Sequence, residues 1–236
     1  MEILRCLTVK ENRVRIPRLL PRSLHEKVNH VLELLGGKWS RSLRGHLFDG
    51  DPWNAIADAV ATGEVTDAKK QYQFFETPEG LARTLINMAE IHKGHRILEP
   101  SAGAGAIARH FGQPACACEL QPHLHRHLAD IPGLKVLCDD FMTLPNSELF
   151  DRIVANPPFR QGQDLAHVHK MVTHLKPGGI LVSVMGPGWR FRTDRRHLHF
   201  RQWFTLLTET YWGALPPSTF AASGTMVNAT WIKLVV

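Results

Sequence analysis

The chain has 236 residues, of which 44% are hydrophobic and 21% charged, a balance typical of one large globular domain with an appendage. It contains no run of about 18 apolar residues, and charge interrupts the N-terminus too early for a signal peptide, so we predict a cytoplasmic protein. The net charge is +6, and residues 1–48 contain the whole excess, with ten Lys or Arg against four acids. Such a segment suits a polyanion, although a solvated surface is an alternative.

Cysteine and histidine patterns do not indicate a metal centre. The four cysteines show no paired spacing, and Cys116 and Cys118 alternate within a predicted strand, which favours buried thiols. His123 and His127 would share one face of a helix, but no acidic or cysteine ligands accompany them. We therefore expect no metal.

Residues 1–70 predict a small basic α+β region that could contact nucleic acid. The segments LRCLTV and RVRIP predict a pair of strands, and LHEKVNHVLELL predicts a helix capped by Ser23 and ended by GGKW. A second helix is expected to enter through Asp51 and Pro52 and to end at Gly63.

From about residue 71, helical and strand-like segments alternate. The segment TPEGLARTLINMAEI predicts a helix with Thr77 as N-cap and Pro78 at its first position. Short β-rich runs follow, separated by the crossover helices AIARHFG, HLHRHLAD and DLAHVHKMVTHL; these runs are HRILEP, ACACEL, KVLCDD, RIVANPP and GILVSVMG. This order predicts a mostly parallel, doubly wound sheet, and the last 25 residues predict a final antiparallel hairpin.

The first of these strands runs into a glycine-rich loop, ILEPSAGAGAIA, at residues 97–108. Gly103, Gly105 and Ala108 match the loose G-x-G-x-x-[GA] pattern of dinucleotide sites. The alternative is a tight strand-to-helix turn without a ligand. The glycines alone do not decide between the two.

Acidic residues at the ends of the next two strands favour an adenosine-containing cofactor. Glu119 ends the second strand, where a carboxylate can accept both hydroxyls of a ribose. Asp140 and Phe141 end the third, where the carboxylate can accept an exocyclic amine and the ring can cover a purine. In a doubly wound sheet these positions share the carboxyl edge, where ligands bind.

The fourth strand ends in the stretch VANPPF, residues 154–159. Two adjacent prolines fix two φ angles and remove two backbone donors, so the neighbouring groups are held stiffly. A planar amino group such as adenine N6 is a poor nucleophile, and two acceptors on its N–H bonds draw it towards a tetrahedral geometry. Asn156 Oδ1 and the Pro157 carbonyl could be those acceptors, while Phe159 could stack on the base.

The ordered series FFETPEGLA, ILEPSAGAGAIA, ACACEL, CDDF, NPPF and SGTMVN resembles the class I DNA adenine-N6 methyltransferases, which use S-adenosylmethionine. The resemblance covers residues 71–236 and implies an α/β, Rossmann-like class I methyltransferase fold, with a mostly parallel seven-stranded sheet that ends in an antiparallel hairpin. It also implies direct in-line transfer of a methyl group to adenine N6 in DNA after base flipping.

The resemblance also implies residue roles. Catalysis falls to the NPPF motif, Asn156, Pro157, Pro158 and Phe159. Cofactor binding falls to Phe75, Thr77, Pro78, Glu99, Pro100, Ser101, Gly103, Gly105, Glu119, Leu120, Asp140, Phe141 and Asn156. Phe220 would back the flipped base beside Phe159. The segment RFRTDRRHLHFRQWF could grip phosphates through Arg190, Arg192, Arg195 and Arg196, although it could also be a solvated helix.

Restriction-type members of this family usually carry a large target-recognition domain, whereas this chain stops at Val236, just after the last predicted strand. We therefore expect a stand-alone enzyme of the phage, plasmid or chromosomal type with short or relaxed sequence preference. Alternatives are methylation of a base amino group in RNA (rRNA adenine-N6 or guanine-N2), glutamine methylation in a protein, and an inactive nucleic-acid-binding regulator. The basic segments argue against a protein substrate, and the oligomeric state is open.

Overall fold

The computed structural model describes residues 7–17, 20–48, 52–62, 76–223 and 225–236. The chain divides into two compact units, Met1–Phe74 and Phe75–Val236, whereas the sequence placed this division after residue 70. The predicted helix boundaries at Asp51 and Gly63 lie outside the described residues. None of the described helices is long and apolar enough to cross a membrane.

The first unit is a small antiparallel sheet with helices. Its elements are β1 (Thr8–Lys10), β2 (Arg13–Arg15), α1 (Arg22–Leu34), β3 (Lys38–Ser40), β4 (Gly45–Leu47) and α2 (Trp53–Thr62). The strand order is β1-β2-β4-β3, and every pairing is antiparallel. Val28 and Leu32 of α1 share one apolar cluster with Val14 of β2, so the helix contributes to the core on that side of the sheet.

Two details of this unit differ from the predicted pattern. Pro21 occupies the N-cap position of α1, so Ser23 lies inside the first turn and is not the cap. Strands β3 and β4 were not predicted, because their sequences KWS and GHL lack the β-branched residues that mark the first two strands. The helix does end as expected, with Gly36 at a φ of +97° just beyond it.

The second unit alternates helices and strands. Its helices are α3 (Glu79–Met88), α4 (His125–Ala129), α5 (Gln163–Thr173), α6 (Gly188–Phe191) and α7 (Arg195–Leu206). Its strands are β5 (Ile97–Glu99), β6 (Ala115–Cys118), β7 (Leu134–Cys138), β8 (Phe150–Ala155), β9 (Leu175–Met185), β10 (Glu209–Ala214) and β11 (Thr230–Val235).

These strands form one seven-stranded sheet in the order β10-β11-β9-β8-β5-β6-β7. Strands β7, β6, β5, β8 and β9 pair in parallel, whereas β11 pairs antiparallel with both β9 and β10. This confirms the predicted Rossmann-like fold with its antiparallel end. The predicted helix AIARHFG is instead a single 3₁₀ turn, Ala108–His110, which precedes Gly112 at a φ of +68°.

Strand β8 lies in the middle of the sheet, and both of its faces are covered. Ile153 packs into one apolar cluster and Val154 into another, and neither side chain is exposed. The carboxyl ends of β5, β6, β7 and β8 therefore open onto the same edge of the sheet. The residues that follow these four strands build the candidate site.

Candidate active site

Asn156 follows β8 directly, and its side-chain amide is anchored. Its Nδ2 donates a hydrogen bond of 3.0 Å to Oγ1 of Thr77, a residue that is buried beside the start of α3. An amide carries its donor and its acceptor on opposite sides, so this bond fixes which side Oδ1 faces. Thr77 was predicted to be the N-cap of α3, but Pro78 occupies that position.

The rest of the NPPF motif is held by packing. Pro157 is buried, and Pro158 and Phe159 are half-buried. Phe159 packs on the apolar cluster that contains Val184, and it lies directly over Gly186 at the end of β9. A Cβ at position 186 would lie 3.1 Å from the Cβ of Phe159, so a glycine there permits this close approach.

A buried carboxylate holds Gly186 in place. Asp164, at the start of α5, is 3% exposed, and its Oδ2 accepts a 2.9 Å hydrogen bond from the N–H of Gly186. Burial raises the pKa of Asp164 to about 6, opposed by the amides of Gly186 and Leu165 and by nearby His197. No sequence pattern marked Asp164, because an Asp in a first helical turn is commonplace.

Glu119, which follows β6, is oriented by two backbone amides. Its Oε2 accepts a 2.7 Å hydrogen bond from the N–H of Gly103, and its Oε1 accepts one of 2.9 Å from the N–H of Gln121. An ionised carboxylate offers about four acceptor sites, so two bonds leave capacity for others. The glycine-rich loop and the strand-end acid that the sequence singled out are therefore in direct contact.

Gly103 and Gly105 contribute differently to this loop. Both have positive φ, at +56° and +81° respectively. A Cβ at Gly105 would overlap Cδ1 of Ile131 and would approach Cδ2 of Leu128 to 3.2 Å. Gly105 is therefore required by backbone conformation and packing, which matches the alternative, ligand-free interpretation at that position. Gly103 uses its amide to orient Glu119.

Glu99, the last residue of β5, is a buried acid with an unpaired oxygen. It is 2% exposed, and Oε2 has no hydrogen-bond partner within the described part of the chain. Burial raises the pKa of Glu99 well above its ordinary value; the Ala108 amide opposes this rise, and the negative charge of Glu119 adds to it. A carboxylate in this position favours a ligand that brings a donor or a positive charge.

Asp140 and Phe141, which follow β7, have different surroundings. Asp140 caps the following 3₁₀ turn, with Oδ1 accepting a 2.8 Å hydrogen bond from the N–H of Met142. Phe141 is 2% exposed, and its ring lies 5.7 Å from that of His167 and 5.5 Å from that of His174. The ring is therefore buried among core residues, and its predicted contact with a purine stays a prediction.

His167 of α5 belongs to this edge of the sheet, although no motif indicated it. Its Nδ1 lies 3.5 Å from Oγ of Ser101 in the glycine-rich loop. Burial lowers the pKa of His167 to about 4, against the raising effect of the Asp140 charge. The imidazole is therefore neutral at pH 7 and lies among residues that follow two strands, β5 and β7. Nothing in the sequence distinguishes it from the other 13 histidines.

The arginine-rich segment is helical, and two of its four candidate arginines are engaged within the protein. Arg190 stacks on Trp212 at 3.8 Å from the ring centroid, and Arg196 donates a 2.8 Å hydrogen bond to the carbonyl of Gln161. Arg192 and Arg195 are exposed. The four arginines thus differ in their surroundings, because Arg190 and Arg196 already contact other parts of this unit.

Phe220 is buried in the apolar cluster on which Phe159 packs. It is 1% exposed and lies with Val184 and Ala229 in that cluster. Its predicted role behind an extruded base stays a prediction. Among the other predicted cofactor residues, Pro100 is buried and Leu120 is 55% exposed, while Phe75 is outside the described residues.

Comparisons with known proteins agree with this architecture. No family model matches the chain. It is 36% identical over 155 residues to a type II methyltransferase of Thermus thermophilus, an alignment that covers 50% of this chain and 36% of the relative. The chain therefore spans about a third of the length of the curated relative that it matches.

Solved structures share the fold. A type I restriction-modification methyltransferase subunit from Streptococcus thermophilus gives a TM-score of 0.56 at 17% identity, over 68% of this chain and 44% of that one. A dimethyladenosine transferase from Plasmodium falciparum gives 0.52 at 16% identity, over 69% and 63%. The resemblance to methyltransferases drawn from the motifs is thus confirmed, in sequence over half the chain and in fold over about two thirds of it.

Proposed function

We propose that the chain transfers a methyl group from S-adenosylmethionine to the N6 amino group of adenine in DNA. The observation that carries the proposal is the Asn156 amide, anchored on Thr77 at the carboxyl end of the central strand and followed by two prolines and an aromatic ring. The similarity to a type II methyltransferase, and the fold shared with a restriction-modification methyltransferase subunit, support a DNA substrate.

The motif can activate a planar amino group without a covalent intermediate. The nitrogen lone pair of such a group is delocalised into the ring, so two acceptors on its N–H bonds make it more nucleophilic. Asn156 Oδ1 and the Pro157 carbonyl supply them, and the buried Pro157 keeps the second acceptor fixed. Phe159, the half-buried aromatic of the motif, is our candidate for stacking on the base, and Phe220 lies in the apolar cluster on which Phe159 packs.

The residues at the sheet edge fit S-adenosylmethionine. The unpaired Oε2 of Glu99 suits the ammonium of its methionine part, and the two bonds that Glu119 already accepts hold its carboxylate ready for ribose hydroxyls. Asp140 suits an adenine amine. When bound, this cofactor supplies a methyl group on a sulfonium. All four candidate arginines are exposed, and Arg192 and Arg195, which do not make the internal contacts of Arg190 and Arg196, are the candidates for contact with phosphates flanking an extruded base.

The test is a methylation assay with labelled S-adenosylmethionine and, separately, unmethylated duplex DNA, rRNA and a protein extract, followed by nucleoside analysis. We expect N6-methyladenine in DNA, and we expect Asn156→Ala to abolish it. Asn146→Ala, an exposed asparagine on a loop, is the matched control and should keep activity. Label found only in RNA or protein would refute the DNA assignment, and a folded protein that does not bind the cofactor would indicate a regulator.

A further inference from the structure

The sheet of the first unit has two chemically different faces. Directly paired residues in an antiparallel sheet project to the same side, and so do residues two apart along one strand. The pairings Val9↔Val14, Val14↔His46 and Trp39↔His46 therefore define one face. Val14 and His46 are fully buried, so this is the inner face.

The opposite face is basic. Its pairings are Lys10↔Arg13, Arg13↔Leu47 and Lys38↔Leu47 in one row, and Thr8↔Arg15 and Ser40↔Gly45 in the next. These eight positions, which the structure describes in full, hold four cations, two hydroxyls, one leucine and one glycine, with no acid among them. Lys10, Arg15 and Lys38 are exposed, and Arg13 is half-buried.

Gly45 allows the two arginines to lie across the sheet. A Cβ at position 45 would lie 3.1 Å from Cγ of Arg15 and 3.4 Å from Cγ of Arg13. The stems of both arginines therefore flank the space that a larger residue would fill. One nitrogen of Arg15 donates a 3.0 Å hydrogen bond to the carbonyl of Leu43, which leaves the guanidinium's other N–H groups for additional contacts.

Helix α1 has no comparable excess of charge. It contains two basic and two acidic residues, and Arg22 pairs with Glu26 at 3.0 Å. Much of the positive excess of residues 1–48 is thus concentrated on one side of one sheet. Four cations beside two hydroxyls complement a row of phosphates, because duplex DNA carries one negative charge per about 1.7 Å of its axis.

We propose that the basic face, formed by Lys10, Arg13, Arg15 and Lys38, binds the phosphate backbone of duplex DNA without reading its sequence. The inference rests on the proposed DNA substrate and adds a second contact surface to it. Such a surface raises affinity equally for all sequences, and it makes binding depend on salt through the release of counterions.

The test compares two double variants with the same change of charge. Arg13→Gln/Arg15→Gln removes two cations from the basic face, and Arg22→Gln/Lys27→Gln removes two from α1. Binding of a labelled DNA duplex is measured by fluorescence anisotropy without cofactor, over a series of salt concentrations. We expect the first variant to bind several DNA sequences uniformly more weakly and to lower the slope of log affinity against log salt by about 2, while the second stays close to wild type.

Equal weakening by both variants, or unchanged binding by the first, would overturn the proposal, and so would a preference for RNA over DNA. If Arg13→Gln/Arg15→Gln does not fold by circular dichroism, Lys10→Gln/Lys38→Gln is the substitute with the same expectation. Methylation is measured in parallel. If the Arg13→Gln/Arg15→Gln variant binds DNA like wild type while the wild-type protein methylates DNA, only this inference is refuted. If the variants bind as expected but the wild-type protein does not methylate DNA, the proposed function is refuted.

Discussion

Asn156 illustrates how a single hydrogen bond can determine the chemistry of a residue. The bond from its Nδ2 to Thr77 leaves Oδ1 on the opposite side of the amide, where the proposed mechanism requires an acceptor. Without that bond the amide could rotate and present a donor instead. If Asn156 acts as proposed, the hydroxyl at position 77 acts through it, in addition to the cofactor contact that the resemblance implies.

We predict that Thr77→Val lowers kcat about fivefold, since a neutral hydrogen bond contributes about 1 kcal/mol. Valine keeps the shape of the side chain and removes its oxygen. Thr77→Ser, which keeps the oxygen, should retain most of the activity. Steady-state kinetics and calorimetric binding of S-adenosylmethionine separate the two roles: weaker cofactor binding at unchanged kcat would mean that Thr77 serves the cofactor alone.

Glu99 lowers stability in a different way, because its buried carboxylate has no partner for Oε2 among the residues that the structure describes. Its folded pKa lies above its unfolded pKa. As pH rises from about 4.5, the unfolded chain loses this proton first, so the contribution of Glu99 to stability falls. We predict that Glu99→Gln makes the cofactor-free protein more stable at pH 7 and leaves it close to wild type at pH 4.

The same substitution should weaken binding of S-adenosylmethionine by at least about tenfold, since a hydrogen bond to a charged group contributes about 1.5–3 kcal/mol. Denaturant unfolding at the two pH values and calorimetric titration test both halves of the prediction. A Glu99→Gln protein that is less stable at pH 7, or that binds the cofactor normally, would show that this carboxylate has only a structural role.

At the scale of elements, Asp164 connects the start of α5 with the end of β9. Its hydrogen bond to Gly186 places the glycine on which Phe159 rests. Helix α7 contacts the turn just after the NPPF motif, since Arg196 donates a hydrogen bond to the carbonyl of Gln161, a non-glycine residue at a φ of +54°. The NPPF motif is therefore supported by α5 and α7, two helices that follow it in the chain.

The pKa of Asp164 rises from 3.8 to about 6 on folding, so the sign of its contribution is clear. Between these values the unfolded chain ionises first, and the stability of the wild-type protein falls with pH relative to Asp164→Asn. The expected difference is about 2 kcal/mol between pH 4 and pH 7, because part of the effect is already present at pH 4. Denaturant unfolding across this pH range measures the free energy of unfolding, and Asp130→Asn, at an exposed position, is the control. If unfolding free energy depends on pH in the same way for wild type and Asp164→Asn, the prediction is contradicted.

The elements also show what sequence patterns can and cannot predict. Strands β5 to β9 were predictable because each contains a short run of apolar, β-rich residues between helical segments, and Asn156 and Glu119 follow such runs directly. Asp164 and His167 were not predictable, because tertiary packing alone brings α5 to the site. The near-complete burial of Phe141 and Phe220 was not predictable either, because an aromatic beside a motif suits a ligand contact as well as a core position.

At the scale of the whole molecule, the two units have separate cores. The apolar cluster of the first unit contains only residues between Leu7 and Val60, and the clusters of the second contain only residues from Leu81 onwards, within the described residues. The residues proposed to bind the cofactor belong to the second unit alone. Cofactor binding should therefore stabilise one core directly and leave the other unaffected.

Hydrogen exchange tests whether cofactor binding stabilises the second unit alone. With S-adenosylmethionine at 100 times its Kd, linkage contributes about 2.7 kcal/mol, so the slowest amides of the second sheet should exchange about 100-fold more slowly. The slowest amides of β2 and β4 should not change. Equal slowing in both units would show that the chain unfolds as one cooperative body.

The crowding of Gly105 against Ile131 and Leu128 has a consequence for genetic screens. A library selected only for methylation would score Gly105 variants and Asn156 variants alike as inactive, and both would be assigned to the active site. Scoring the cellular abundance of the same library would separate them. Gly105 variants would be depleted through misfolding and degradation, whereas Asn156 variants would accumulate to normal levels without activity.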